Sequence, residues 1–499
     1  MIDDLKSLIR DQILAVRQQD LLAYLGMGQG HDQIQTKISP ITKEQVKEIE
    51  GLVERGLLHR NYYFYACDLF IRQKVEPAQE MLDQWMSGAK AQVGGEDIKF
   101  SNIISWCQYQ DSKEKRDHLE REARALCRFL SPFSEATWQT TFRAVTEDLG
   151  YSDYLGFLRK KRGSVLDADI ENARSFLEQT RDGYFTLIDT WFERIPEPVI
   201  PGDRSRFDAI YLLGMRYLDS LYPDDWKGEE GVNKAVNFFQ GLVRNLDGLN
   251  IHITSSSGGN PCCLPVSIPG EVHVIAGPLG GWIDLEGLFH ELGHALFFLG
   301  HSEELPFEAR ELFLEPALSE AFAFLFQLVS LDTTFLTRVM GLGERDAEIL
   351  SIMQKVKFLT LARRYSAKSI TEYENFKGCG RQEGKRRYAQ LLERHTGFRY
   401  QPETYYFDLM PDLYSLDYFK AFVASLSMER HLEGDNGPGW FLHESARELL
   451  GKWAFCGNTM SLEQFMIRHL GMEACHEPFD FAINGPLLDG YVKKMAQNV

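Results

Sequence analysis

The sequence has no apolar run long enough for a transmembrane helix, which needs about 20 residues. Its most apolar window, residues 321–331, is roughly half that length. Charged residues begin at Asp3 and recur through the first ten positions, so we expect no signal peptide. These absences predict a protein that does not span a membrane.

Basic residues are scarce relative to acidic ones. Lys and Arg number 54 against 72 Asp and Glu, which gives a formal net charge of −18. A surface this acidic repels phosphate backbones and anionic lipids. We therefore expect neither nucleic acid nor a membrane surface as a partner, and the sequence leaves the oligomeric state open.

The cysteines show no Cys-x-x-Cys spacing, although there are 8 of them. Without a signal peptide, reduced thiols and a cytoplasmic location are the expected reading. The adjacent pair Cys262 and Cys263 is interpreted as two small buried side chains rather than a strained disulfide.

Apolar residues at helical spacing dominate the first part of the chain, up to about residue 195. The segment 195–203 contains three prolines and a glycine, which predicts a break there. Further on, residues 250–254 and 271–276 have strand patterns separated by Gly, Ser and Pro-rich turns. A small β-sheet is therefore expected within a mainly helical protein, and no internal repeat is visible.

A basic run at residues 159–162, Arg-Lys-Lys-Arg, is followed by Gly163. Positive charges in the last turn of a helix closed by glycine are the ordinary explanation of such a run. We interpret these charges as a helix end rather than as a binding patch.

The most informative motif is His-Glu-Leu-Gly-His at residues 290–294. Two histidines four apart on a helix project from one face, so both imidazoles can reach one Zn²⁺ at about 2.0–2.1 Å. Glu291 lies close to that metal without having to bind it, the position of a carboxylate that deprotonates water there. The surrounding helix is apolar nearly all round, and burying these polar groups without a partner is costly.

A catalytic zinc usually takes three protein ligands, so a third is needed besides His290 and His294. Glu320 lies in an apolar helix that is predicted to start near Pro316, where a buried carboxylate needs a reason. Glu315 is the rival, but it sits at the helix start, where acidic residues are stable in solvent. We expect one Zn²⁺ held by His290, His294 and Glu320, with Glu315 as the open alternative.

Tyrosines at 414 and 418 are candidates for stabilising an oxyanion next to the metal. They lie four apart and therefore on one face of a helix, which Asp412 is placed to cap. By spacing alone such aromatics are more often structural.

Three segments resemble the thimet oligopeptidase and oligoendopeptidase F family of zinc peptidases. They are Gly259-Asn-Pro-Cys-Cys263, residues 274–284, and the metal helix around 288–296, in the order of that family. Residues 416–426 resemble the family's tyrosine helix. The resemblance covers about residues 250–430 and implies that Tyr418, with Tyr414, binds the oxyanion. It also implies short peptides as substrates and a deep substrate channel between two helical halves.

The sequence departs from this family at two positions near the expected site. Ser415 stands where relatives often have a second tyrosine of a tandem pair, and Phe324 where some carry an aspartate. These differences bear on substrate choice rather than on zinc hydrolysis.

The sequence thus predicts a mainly α-helical zinc metallopeptidase with a small sheet beside its active-site helix. We expect an N-terminal helical region at 1–195 and a catalytic domain at 196–499, with the strand at 271–276 holding the peptide extended. Glu291 is the expected base. Two alternatives stay open: a carboxypeptidase similar to carboxypeptidase Taq, and a non-catalytic zinc-containing peptide-binding protein. The former would need a free cation, for which arginines at 363, 364, 381, 386 and 387 are available.

Overall fold

The computed structural model describes residues 2–25, 40–163, 165–242 without 194, 196 and 198, 248–254, 261–378 and 381–471. Most of these residues are helical, as the sequence predicts. The helices in chain order are α1 (Ile2–Tyr24), α2 (Lys43–Glu54), α3 (Arg60–Gly88), α4 (Ile103–Gln108), α5 (Lys113–Arg143), α6 (Tyr154–Arg162), α7 (Leu166–Gln179), α8 (Arg181–Phe192), α9 (Arg206–Gly214), α10 (Gly228–Leu242), α11 (Trp282–Leu299), α12 (Phe307–Arg310), α13 (Ala317–Ser330), α14 (Glu344–Phe376), α15 (Arg381–Thr396), α16 (Tyr405–Asp408), α17 (Tyr414–Asn436), α18 (Glu444–Phe455) and α19 (Leu462–Leu470).

Strands are few and short. They are β1 (Lys90–Val93), β2 (Glu96–Lys99), β3 (Leu249–Ile253), β4 (Cys262–Ser267) and β5 (Glu271–Ala276). Single turns of 3-10 helix occur at Phe100–Asn102, Asp224–Trp226, Pro402–Thr404, Pro411–Leu413 and Trp440–Leu442, with a longer one at Arg216–Leu221. Two π-helical turns occupy Ala144–Asp148 and Phe335–Val339. None of the described helices has the length and apolar character to cross a bilayer.

The chain forms two compact units, each discontinuous in sequence. The first contains the described residues up to Lys74, Tyr222–Ala347 and those from Ala424 onward; the second contains Val75–Leu221 and Glu348–Val423. Three of the borders fall inside the continuous helices α3, α14 and α17, so no Pro- or Gly-rich linker marks them. Residue 195, where the sequence predicts a division, lies inside the second unit, and residue 196 is outside the described residues.

In the first unit, a three-stranded sheet has the order β3-β5-β4, with β5 parallel to β3 and antiparallel to β4. Helix α11 packs against β4 and β5 and against α13. Every residue of α13 is buried, and its apolar side chains form the centre of this unit with Phe239 and Phe289. The small sheet therefore lies beside the helix that carries the His-Glu-Leu-Gly-His motif, as predicted.

In the second unit, β1 and β2 form a hairpin whose two-residue turn is Gly94 and Gly95, both at positive φ. Such turns need residues that tolerate positive φ, which explains the glycine pair. The inward side chains of this hairpin pack on α5 and on the short helix α4, with Ile98 and Cys107 fully buried in the cluster. None of the six described cysteines of the chain forms a disulfide with another.

Candidate metal centre

Helix α11 presents the two motif histidines on one face. His290 and His294 are one turn apart, and their ring centroids are 4.9 Å from each other. Apolar side chains cover the rest of this helix, and Leu288, Phe289 and Leu292 are almost completely buried. The pattern that predicted a buried helix with a polar stripe is therefore confirmed.

Helix α13 approaches α11 closely because residue 293 is a glycine. A Cβ atom at Gly293 would lie 2.7 Å from the Cα of Ala323 and 2.8 Å from the carbonyl oxygen of Phe322. Real Cβ atoms do not come this near to backbone, so a larger residue would push the helices apart. The glycine between the histidines thus lets the neighbouring helix bring its own polar side chain to them.

That side chain is Glu320, in the first turn of α13, and this helix begins directly after Pro316. Its Oε2 lies 3.4 Å from Nε2 of His290 and 3.5 Å from Nε2 of His294. Ligand atoms around a tetrahedral zinc with bonds of about 2.0–2.1 Å lie roughly 3.3–3.4 Å apart. The two distances to Glu320 match this spacing, and all three ligand atoms lie within 4.8 Å of one another, so the trio could hold one zinc ion. In the part of the chain that the structure describes, no other trio of metal-ligating side chains comes together, and Glu315 is not in this one.

Two further residues orient the imidazoles. Nδ1 of His290 lies 3.1 Å from Oε1 of Gln327, and Nδ1 of His294 lies 2.7 Å from Oγ of Ser319. When each Nδ1–H donates to these oxygens, both Nε2 lone pairs face Glu320, which is the tautomer that metal ligation needs. Sequence reasoning missed both residues. The signal was available, because Gln327 lies seven residues after Glu320, and therefore on the same face of an otherwise apolar helix.

Two carboxyl groups at the centre have opposite pKa shifts. Burial would raise the pKa of Glu320, but the adjacent His294 and His290 hold it well below its usual range. Glu291 keeps some solvent exposure, yet crowding by protein raises its pKa to about 7, opposed by His290 and reinforced by Glu320. The backbone of Cys263 in β4 opposes this rise and favours the charged form of Glu291. The two acids therefore differ in environment as a ligand and a base would.

Phe324 occupies the position where some members of the resembled family carry an aspartate. Its ring lies edge-on to His290, with centroids 4.8 Å apart. The side chain that accepts from Nδ1 of His290 is Gln327 instead, one turn further along α13. With phenylalanine instead of aspartate at position 324, the imidazole of His290 has the neutral amide oxygen of Gln327 as its hydrogen-bond acceptor.

Tyr414 and Tyr418 lie in the second unit, at the start of α17. Their ring centroids are 4.9 Å apart, and the ring of Tyr418 lies 4.7 Å from that of Tyr365. The prediction that they share a helix face is therefore confirmed. The predicted cap is wrong: Asp412 has a positive φ, and its carboxylate accepts hydrogen bonds from Lys161 and Tyr154.

The prediction that the strand at 271–276 holds a peptide is also wrong. This strand is β5, and it pairs with β3 on one side and β4 on the other. Its backbone groups are engaged in both ladders, so none is left to pair with an extended peptide. The glycine-rich turn before β4, residues 255–260, lies outside the described residues.

Comparison with solved structures finds the same fold in two proteins. One is a Bacillus anthracis (strain Ames) protein assigned as an oligoendopeptidase F, with a TM-score of 0.64 and 13% identity, covering 91% of this chain and 84% of the other. The second is PZ peptidase A with an inhibitor, with a TM-score of 0.66 and 11% identity, covering 100% of this chain and 97% of the other. Neither protein-family models nor curated proteins give a match. The large helical peptidase fold expected from the sequence is therefore confirmed.

Proposed function

We propose that this protein is a zinc-dependent metallopeptidase that hydrolyses peptide bonds in short peptides. The observation that carries the proposal is the meeting of His290, His294 and Glu320 at zinc-ligand spacing, with Glu291 left beside them. The hydrogen bonds that orient both imidazoles support it, because they fix the ligating nitrogens. A fold shared with proteins assigned as peptidases adds further support.

Zinc in such a site supplies Lewis acidity and lowers the pKa of water. In our proposal Glu291 takes the proton from the attacking water and passes it to the nitrogen of the leaving amine. The neighbouring backbone of Cys263 favours the charged form of its carboxylate, which is the form that accepts a proton. Glu320 is not available for this role, because its carboxylate faces both imidazoles.

The oxyanion formed at the scissile carbonyl needs hydrogen-bond donors. As part of the proposal we keep the role that the family resemblance gives to Tyr418, with Tyr414 as its neighbour. Both side chains are partly exposed, whereas residues 415–417 between them are buried. Among residues 414–418, these two tyrosines are thus the ones that are not buried.

An extended peptide would pair with β4 rather than with β5. Strand β4 is an edge strand of the three-stranded sheet, and the backbone of its Cys263 is near enough to Glu291 to affect the pKa of that carboxyl. A peptide added along this edge would have its backbone aligned beside the base by main-chain hydrogen bonds. We keep from the resemblance the expectation of a substrate channel that admits short peptides, and from the sequence that of a cytoplasmic enzyme.

The carboxypeptidase alternative needs a cation available for a terminal carboxylate. Three of the candidate arginines are already engaged within the second unit. Arg363 donates to the carbonyl oxygens of Leu177 and His395, Arg364 pairs with Asp408 at 2.5 Å, and Arg387 pairs with Glu374 at 2.8 Å. These contacts favour an endopeptidase over the carboxypeptidase.

The variant Glu291→Gln tests the proposal. It should keep one equivalent of zinc and lose about 10²- to 10⁴-fold in cleavage of a short-peptide library, the usual share of a general base. Glu286→Gln is the matched control, since it neutralises a buried carboxylate on the same helix. Equal cleavage by Glu291→Gln and wild type would refute the base. Peptides with an amidated C-terminus separate the two peptidase types, because only an endopeptidase cleaves them as before.

Metal loading without any cleavage by the wild type would instead favour the non-catalytic peptide-binding alternative. That outcome would be read from zinc content and peptide-binding affinity measured together. An endopeptidase should show binding followed by new peptide termini in mass spectrometry.

A further inference from the structure

The basic run ends α6 and Gly163 follows it as the C-cap, as the sequence predicts, but two of its four cations are buried. Lys161 and Arg162 are only 3% and 7% exposed, and both point to acidic residues of the segment 410–418. Burying two charges costs several kcal/mol per ion unless their partners are well placed. The positions of their acidic partners therefore indicate which segment of backbone Lys161 and Arg162 stabilise.

Arg162 and Lys161 hold the backbone turn just before α17. Nζ of Lys161 donates to Oδ2 of Asp412 at 2.6 Å, and Nη1 of Arg162 donates to the carbonyl oxygen of Asp412 at 2.9 Å. The hydroxyl of Tyr154 donates to Oδ1 of Asp412 at 3.1 Å and accepts from its N–H at 3.2 Å. Every polar group of Asp412 is thus bound to α6.

This turn has an unfavourable backbone conformation. Asp412 and Leu413 have φ values of 57° and 59°, and neither is glycine. Residues in such a conformation persist only where their surroundings determine it, and they are concentrated at functional sites. The contacts to α6 supply that constraint.

A second helix holds the same segment. Oε1 of Glu372, on α14, accepts from the N–H of Met410 at 3.0 Å and from Oγ of Ser415 at 2.9 Å. Glu372 and Ser415 are both buried, and Nζ of Lys368 lies 3.8 Å from the same carboxylate oxygen of Glu372. Contacts from α6 and from α14 therefore both stabilise this turn.

The two aspartates that bind α6, Asp412 and Asp417, alternate in sequence with Tyr414 and Tyr418. Asp417 receives a two-pronged contact from Arg162, with Nη1 to Oδ2 at 2.9 Å and Nη2 to Oδ1. Such a paired contact fixes direction as well as distance. Asp412 and Asp417 thus fasten the chain two residues before Tyr414 and one residue before Tyr418.

We propose that Arg162 and Lys161 are positioning residues that set the places of the Tyr414 and Tyr418 hydroxyls through Asp412 and Asp417. The inference rests on the proposed function, because it assigns the tyrosines to the oxyanion. It adds the reason why a run of cations ends α6. Both cations act through the tyrosines and touch no substrate.

The variant Asp417→Asn tests this role, because it keeps the shape of the side chain and removes the charge that orients Arg162. It should lower kcat for a short peptide by about 10- to 100-fold, the effect of misplacing a reacting group by about an ångström. KM should stay within about twofold and zinc content at one equivalent. Arg162→Lys, which keeps the charge but loses the fork, should lower kcat by less.

A double variant separates positioning from loss of stability. If Asp417 acts through Tyr418, then Asp417→Asn combined with Tyr418→Phe should be no slower than Tyr418→Phe alone, to within about twofold. A merely structural change would lower kcat again by its full factor. Should Asp417→Asn fail to fold, Ser415→Ala loosens the same turn from α14 and takes its place in the cycle.

Asp208→Asn is the matched control. Asp208 is fully buried in the same unit and pairs with Arg116 at 2.8 Å, but it caps α9 and contacts neither tyrosine. This variant should lose stability and keep kcat. A folded Asp417→Asn variant with normal kcat, or an additive double variant, would overturn the positioning role alone. An unchanged kcat in Tyr418→Phe would overturn the tyrosine's role and this inference with it, and a wild type that cleaves no peptide would refute the proposed function itself.

Discussion

Ionisable groups are paired differently at the metal centre of the first unit and in the charged pairs of the second. At the metal centre, Glu320 lies against two imidazoles that are oriented by neutral groups, the amide of Gln327 and the hydroxyl of Ser319. In the second unit, four aspartates, two of them fully buried, each face a lysine or an arginine. These pairs are Asp417 with Arg162, Asp408 with Arg364, Asp412 with Lys161 and Asp208 with Arg116.

The difference shows what each arrangement can do. A carboxylate facing a guanidinium is neutralised permanently, so the pair fixes structure but offers nothing to a ligand. A carboxylate whose oxygen lies 3.4 and 3.5 Å from two imidazole nitrogens brings three possible ligand atoms together, which suits a divalent cation. The charged pairs of the second unit thus hold backbone in place, whereas the trio of the first unit holds three donor atoms near one point.

Glu320→Gln should have the largest effect of the changes that probe this contrast. It removes the charged ligand and leaves the volume unchanged, so zinc affinity should fall by more than the 10- to 100-fold that an outer partner costs. Peptidase activity should fall with zinc content, measured by elemental analysis after dialysis. Asp417→Asn should keep its zinc, because its charge only holds structure.

Glu315→Gln is the matched control for that change, and it also tests the alternative ligand. It neutralises a carboxylate five residues earlier in the chain, outside the ligand trio. This variant should retain one equivalent of zinc. Zinc lost from Glu315→Gln but kept by Glu320→Gln would reverse the assignment.

Gln327→Leu sharpens the comparison by removing a neutral orienting group. The change takes away the acceptor for Nδ1 of His290 while keeping an apolar helix intact. The Kd for zinc should rise about 10- to 100-fold, and kcat at saturating zinc should stay near the wild-type value. Ser330→Ala, which removes a hydrogen bond within the same helix, should leave the zinc Kd unchanged. An unaltered Kd in Gln327→Leu would mean that the amide does not orient His290.

The sequence predicted the parts of the site that depend on local spacing. His290, Glu291 and His294 are within one helix turn, and Glu320 was recognisable as a carboxylate in an apolar helix. The fold class followed from helical periodicity in the same way. Tyr414 and Tyr418 were placed correctly on one helix face, while their role stays a prediction.

The features that the sequence did not predict all concern contacts between distant parts of the chain. Lys161 and Asp412 are 251 positions apart, so nothing near Lys161 indicates that it is buried. The place of β5 inside its sheet depends on β3 and β4, whose order a strand pattern does not contain. Gly293 matched the motif at a position free to vary, and its contact with Ala323 belongs to another helix.

His301 gives the smallest expected effect and tests whether the first unit keeps this buried imidazole neutral. Its Nδ1–H donates to the carbonyl oxygen of Phe297 at 2.7 Å, and Nε2 accepts from Nδ2 of Asn458 at 3.2 Å. Burial lowers the pKa of His301 to about 4, against the opposing effect of the Phe297 carbonyl, with Arg310 lowering it further. In the unfolded chain the pKa of His301 is about 6.5. Between pH 6.5 and 4, His301 is therefore mostly protonated in the unfolded chain and mostly neutral in the folded protein.

The contribution of His301 to stability is therefore full above pH 6.5 and is lost as the pH falls towards 4. Between pH 7 and pH 5.5 the wild type should lose about 1 kcal/mol more of its free energy of unfolding than His301→Gln does. Urea unfolding of both proteins with a chelator present makes the protonation of His290 and His294 common to the two curves. Parallel pH dependences would show that the folded protein binds a proton at His301 as readily as the unfolded chain. The first unit would then tolerate a positive charge on this buried imidazole.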